Sequence, residues 1–248
     1  MMQNSFETGN GTAPRTDARG RSTFWSLRFT AAQLLIALVL LIVASPFVED
    51  LPGGEGIESV LMTVVLSSAV LVVGGRHRTL WLVALFAGPV VIGKWLYHFR
   101  PDLMPPAVYF AMATCFLVFV IVHLLRFVLG ATRVDTEVLC ASIAAYLMLG
   151  LLWALAYSLV AELTPNSFSF NAATTSHHGM AGFNSFYFSF VTLSTVGYGD
   201  ITPVSRVARM LAAVEAMTGL LYVAVLVARL VSLYSAPGPP NSDESKDR

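Results

Sequence analysis

Charged residues cut the chain into long apolar blocks. Residues 29–48 run uncharged between Arg28 and Glu49, and residues 59–75 run between Glu58 and Arg76. Residues 79–99 form a third block that contains Lys94. Residues 103–125 and 138–161 form the fourth and fifth, and a last block, 207–234, holds Arg209, Glu215 and Arg229. Each is near the ~20 residues that cross a hydrocarbon core as a helix. In lipid an isolated segment satisfies its backbone only as a helix, so six membrane-spanning helices are predicted. Between the fifth and sixth lies a shorter apolar stretch, residues 185–194, too short to span. It reads as a re-entrant helix, tolerated at membrane depth where protein surrounds it.

Local signals sharpen several of these boundaries. Asp135 or Thr136 can cap the fifth helix, and Glu137 suits its positive end. Pro105-Pro106 opens the fourth, as prolines often do. Gly88-Pro89 lies midway in the third and predicts a kink or packing relief against a neighbour. Asn184 or Ser185 can cap the re-entrant helix. Residues 163–183, rich in Ser, Thr, Asn and Gly, form an outer turret, and residues 236–248 a polar tail expected to be disordered.

Composition agrees. The 248-residue chain is 56% hydrophobic and 12% charged, with a formal net charge of zero. No basic excess exists to neutralise phosphates, so nucleic acid is not an expected partner; the lipid bilayer is. Residues 1–28 are polar and lack the apolar centre of a cleavable signal. Cys115 and Cys140 sit within apolar blocks and imply no disulfide framework. Most of the 15 Lys and Arg fall on one side if both termini are cytoplasmic. That side holds Arg15, Arg19, Arg21, Arg28, Arg76, Arg78, Arg126, Arg133, Arg229, Lys246 and Arg248, against Lys94, Arg100, Arg206 and Arg209 outside. The expectation is a multi-pass cell-membrane protein with the 162–206 loop outside.

The most informative stretch is Thr195-Val196-Gly197-Tyr198-Gly199-Asp200. An extended chain of L-residues points its carbonyls to alternate sides. Gly197 and Gly199 can take left-handed angles at little cost, and alternating hands turn successive carbonyls to one side. Rows of such oxygens can replace the hydration shell of K⁺. With its flanks, Ser189 to Ser194 before and Ile201 to Val204 after, the hexapeptide resembles the selectivity filter of the tetrameric potassium channel superfamily. The resemblance is specific over residues 183–234 and architectural over 29–160.

The resemblance implies a six-helix, single-pore channel with a compact, prokaryotic look. Its divisions would be an N-terminal tail (1–28), a four-helix membrane bundle (29–130), a pore domain (131–235) and a C-terminal tail (236–248). K⁺ ions would be held by the carbonyls of Thr195, Val196, Gly197 and Tyr198 and the Thr195 hydroxyl. Gly199, Asp200, Tyr187 and Thr192 would support them. One chain carries one such loop and cannot encircle an ion, so a homotetramer with cyclic symmetry is expected. Where many relatives carry a Trp pair, this chain has Tyr187-Phe188. Tyr187 keeps a donor that can reach Asp200, whereas Phe188 has none. That leaves open a filter with fewer hydrogen bonds, or packing that compensates. Val191 stands where some bacterial relatives carry a buried Glu.

Two residues of the last helix are gating candidates. Gly219 is either a hinge or a close-packing position. Glu215 either bonds the back of the re-entrant helix or reaches water near the outer end. Thr218, Tyr222 and Val225 share helical spacing and either line a cavity or pack against helices. The fourth helix lacks the Arg ladder of voltage sensors, having only His123 and Arg126 near one end, so weak or no voltage dependence is expected. Lys94 is expected to snorkel outward. His177 and His178 are candidates for outer-pH sensing. No enzyme constellation, soluble regulatory domain or organic cofactor is implied. A nonselective pore, a secondary transporter and a non-conducting scaffold remain rivals. An intact filter argues against the first, and a single loop without repeats argues against the second.

Overall fold

The computed structural model describes residues 18–49, 51, 54–73, 87–96, 105–171 and 179–234. The elements run α1 (Ala18–Glu49), α2 (Gly54–Val73), helical residues 87–96 (α3), α4 (Pro106–Gly130), α5 (Thr136–Leu163), β1 (Phe168–Phe170), α6 (Phe183–Leu193), β2 (Ile201–Pro203) and α7 (Arg206–Tyr234). Among the described residues, four helices are long and apolar enough to cross a membrane: α1 through Ala31–Val48, α4, α5, and α7 through Arg206–Ser232. The apolar part of α2, Gly56–Val72, is shorter. The third expected span lies partly outside the described residues, as do His177, His178 and the C-terminal tail.

Helix α5 is the hub. It packs against α1, α4, α6 and α7, while α1 pairs with α2. Its small residues Ala141, Ala144, Ala145, Gly150 and Ala154 are buried and let neighbouring backbones come close. Helix α4 buries Ala113, Phe116, Leu117, Val120 and Leu124 in the same core. On the outer faces Ile36, Val43, Leu71 and Ile143 are more than half exposed. Such apolar exposure suits a lipid solvent rather than water.

Caps follow local chemistry. The Asp135 carboxylate accepts from the Val138 N–H at 2.9 Å and so caps α5. Pro106 begins α4, where its missing N–H costs nothing. Helix α6 differs from expectation. It starts at Phe183 with Gly182 as its cap residue, so Asn184 and Ser185 lie inside the first turn and cannot cap it. They reach backward instead, Asn184 Nδ2 donating to the Gly179 carbonyl at 3.0 Å and Ser185 Oγ to the Gly182 carbonyl at 2.9 Å.

Two strands interrupt an otherwise helical fold. Within the expected turret β1 pairs antiparallel with β2, Phe168 facing Pro203 and Phe170 facing Ile201. The ladder is extended by Asn171 N–H to the Asp200 carbonyl and Val204 N–H to the Ser167 carbonyl. This fastens the outer end of the 195–200 loop to the chain leaving α5. Beneath it Tyr157, Phe168 and Phe188 meet edge to face, with ring centroids 4.8–5.7 Å apart. At the other end of the bundle, Arg229 Nη2 donates to the carbonyls of Leu129 and Ala131. That ties the end of α7 to the α4–α5 connection.

Lys94 does not snorkel free. Its Nζ lies 3.6 Å from Glu58 Oε1 and 5.8 Å from the Tyr109 ring centre. A partner carboxylate and an aromatic face within the bundle offer the ammonium more than the climb to water does.

Candidate functional site

The 195–200 loop hangs from the C-terminus of α6. Helix α6 ends at Leu193, and Ser194 closes it with its N–H and Oγ both on the Phe190 carbonyl. The next N–H groups turn back onto the same helix end. Thr195 N–H donates to the Thr192 carbonyl at 2.9 Å, and Val196 and Gly197 N–H donate to the Val191 carbonyl at 2.9 and 3.3 Å. Helix-end carbonyls otherwise lack partners, so the loop and the helix satisfy each other.

Positive φ angles recur at every second residue: Thr195 at 60°, Gly197 at 58° and Gly199 at 79°. Gly197 and Gly199 were expected there; Thr195 was not. A β-branched residue in this region is strained, and the Thr192 carbonyl that holds its own N–H and the Val191 carbonyl that holds the next two keep it there. Alternating hands are the arrangement that turns successive carbonyls to one side.

The outer end is held by side chains. Tyr187 donates to Asp200 Oδ2 at 2.8 Å, and Asp200 Oδ1 accepts from the Ile201 N–H at 3.0 Å. Burial, then the hydrogen bond to Asp200 and its charge, push the Tyr187 phenol up to about 12, so it stays a donor at neutral pH. The Tyr187 and Tyr198 rings stack with centroids 6.3 Å apart and planes 6° from parallel. Asn171, Tyr187, Tyr198, Gly199 and Asp200 line an open hollow at this end. Phe188 turns the other way, into the aromatic cluster with Tyr157 and Phe168, and is buried.

Behind the loop, α7 meets α6 and α5 along one stripe. Gly219 lies so close to the end of α6 that a Cβ would collide with the Leu193 carbonyl. Glu215, one turn earlier, is fully buried and does not reach water. Tyr157 donates to Glu215 Oε2, and Ser189 Oγ lies 2.6 Å from Oε1. Tyr222 donates to the Ser142 carbonyl at 2.6 Å. Val225 is exposed, whereas Thr218 is half-buried and donates its hydroxyl to the Val214 carbonyl at 2.6 Å. The structure therefore gathers Tyr187, Thr192 and residues 195–200 at the loop and sets Glu215 and Gly219 at its back. Ser189, Tyr157 and Gly150 were missed; their signal was hydroxyls and a glycine inside apolar runs.

Residues 138–236 match the family model described as "Ion channel". The chain is also similar to "Two-pore potassium channel 4" of Arabidopsis thaliana, 47% identical over 49 residues, which cover 20% of this chain and 17% of that protein. No solved structure matches. Residues 138–236 are thus similar to an ion-channel family, and a 49-residue stretch is similar to a potassium channel. The chain spans about a sixth of the length of the curated relative it matches.

Proposed function

We propose that four copies of this chain close around one axis to form a potassium-selective pore. The carbonyls of Thr195, Val196, Gly197 and Tyr198, with the Thr195 hydroxyl, replace the hydration shell of K⁺ as it passes. The observation that carries this reading is the alternation of positive φ at Thr195, Gly197 and Gly199, with the loop's N–H groups drawn back onto α6. In this reading the opposite edge of the loop is a row of oxygens, and one chain supplies only a quarter of a ring.

Exposure is in keeping with assembly. Val196 and Tyr198 are 54% and 71% exposed in the single chain, as are the apolar Met217, Leu220 and Val225 of α7 at 55%, 66% and 54%. Neighbouring copies would cover them. The C-terminus of α6 points its partial negative charge toward the loop, which favours a cation there. Transport is passive through six spans per chain, with both termini in the cytoplasm and weak or no voltage dependence.

The test is flux from vesicles holding the purified protein. Uptake of K⁺ or Rb⁺ well above Na⁺, from a tetramer by mass measurement, is the expected result. Equal uptake of Na⁺, or a monomer or dimer as the conducting species, would overturn it.

A further inference from the structure

The contacts around Glu215 can be read by counting hydrogens. Ser189 Oγ lies 2.6 Å from Glu215 Oε1 and 2.7 Å from the Gly150 carbonyl oxygen. Both neighbours are acceptors if Glu215 is ionised, yet a serine hydroxyl carries one hydrogen. Tyr157 fills the other carboxyl oxygen with its own hydrogen. An ionised Glu215 thus leaves one of the two short Ser189 contacts as bare oxygen against oxygen. Adding one proton at Oε1 resolves the conflict. Glu215 then donates to Ser189, Ser189 donates to Gly150, and Tyr157 donates to Oε2.

The surroundings point the same way. Glu215 is 0% exposed. Among the described residues, the titratable groups that act on it are Tyr157 and, farther off, Tyr146, both on α5. The α6 partner is the uncharged Ser189, and the ion pair among the described residues is Lys94 with Glu58. A buried carboxylate without a cation is expensive, whereas a neutral acid with every oxygen paired is not.

We propose that Glu215 is held as a neutral carboxylic acid whose proton bolts α7 to α6 through Ser189, and α6 to α5 through Gly150. It is a positioning residue for the 195–200 loop. That loop hangs from the same α6 and begins two residues past the Leu193 carbonyl that Gly219 lies against and six past Ser189. The positioning role rests on the channel reading above; the protonation state does not.

The experiment is infrared difference spectroscopy on the purified full-length protein in lipid at neutral pH, wild type minus Glu215→Gln. A carbonyl stretch of a protonated carboxylic acid, moved by deuterium exchange, is expected in the wild type and absent from the variant. Ser189→Ala keeps the carboxyl but removes its acceptor, and is expected to shift that band to higher frequency. Carboxylate bands in place of the acid band, or an acid band indifferent to Ser189→Ala, would overturn the proposal. Flux then reads the positioning role. Glu215→Gln, which can still donate to Ser189 and accept from Tyr157, is expected to keep wild-type flux. Glu215→Ala, which orphans the Tyr157 hydroxyl and cuts the link from α7 to Ser189, is expected to lose about tenfold or more. Equal flux from both variants would overturn the positioning role. A wild type that passes no K⁺ would instead sink the channel reading and leave the acid band standing.

Discussion

Tyr187 on α6 donates its phenol to Asp200 Oδ2 at 2.8 Å, joining the start of the helix to the far end of the loop that the same helix suspends. The bond closes a ring of chain from 187 to 200. Its inner end is tied by the Val191 and Thr192 carbonyls, its outer end by this one phenol and the β1–β2 ladder.

Tyr187→Phe removes that donor while keeping the ring stacked on Tyr198. The carboxylate partner strengthens the bond and its half-exposed setting weakens it, so about 1 kcal/mol per chain is the expected loss. The expected outcome is a lower melting temperature in K⁺ and faster decline of K⁺ current during sustained activity, with the fold intact by circular dichroism. Unchanged melting and unchanged current would show that the ladder alone holds the outer end.

Gly219→Ala places a methyl against the Leu193 carbonyl, a backbone atom that cannot swing aside. Overpacking of this kind costs about 1–3 kcal/mol, and here it pushes directly on the helix end that carries the loop. Loss of folded protein, or of K⁺ flux from protein that folds, is expected. Gly56→Ala in α2 is the matched control. A Cβ there meets nothing within 4 Å, and alanine is the better helix former, so wild-type or slightly higher thermal stability is expected.

Much of this was legible because it is local. The apolar blocks, the Asp135 cap, the Pro105-Pro106 start and the left-handed glycines each depend on a few adjacent residues. The rest depends on contacts far apart in the chain. Strands of three residues, Phe168–Phe170 and Ile201–Pro203, carry no periodicity of their own and exist only because they meet. Thr195 has a preference against positive φ, which the α6 carbonyls override. Asn184 and Ser185 are good caps by type, but α6 begins earlier, at Phe183, with Gly182 as its cap residue. Glu215 stood out as an acid in an apolar span. Its partners, 26 and 58 residues away, did not.

Lys94 and Glu58 offer a test of how charge is managed within the bundle. Their side chains are 16% and 26% exposed. Breaking such a pair strands one charge, while replacing both residues with apolar ones of similar volume is often neutral. Lys94→Met is therefore expected to destabilise by about 1–3 kcal/mol, below the figure for a fully buried pair. Lys94→Met with Glu58→Leu is expected to recover most of that loss. Thermal melts of the four proteins in a double-mutant cycle read the coupling, and two independent, additive losses would contradict it.

Helix α4 carries His123 and the exposed Arg126 near one end, and its remaining residues from Pro106 on are uncharged. One charge moved across 100 mV is worth about 2.3 kcal/mol, and steep gating uses 3–4 such charges in each subunit. Neither α4 nor its neighbours offer that number in a movable row. Lys94 is held by Glu58, and Arg229 is engaged by the Leu129 and Ala131 carbonyls. A conductance–voltage relation that is shallow or flat is expected, and it should stay so after Arg126→Gln. A steep relation, with several gating charges per chain lost in that variant, would mean that α4 moves in the field.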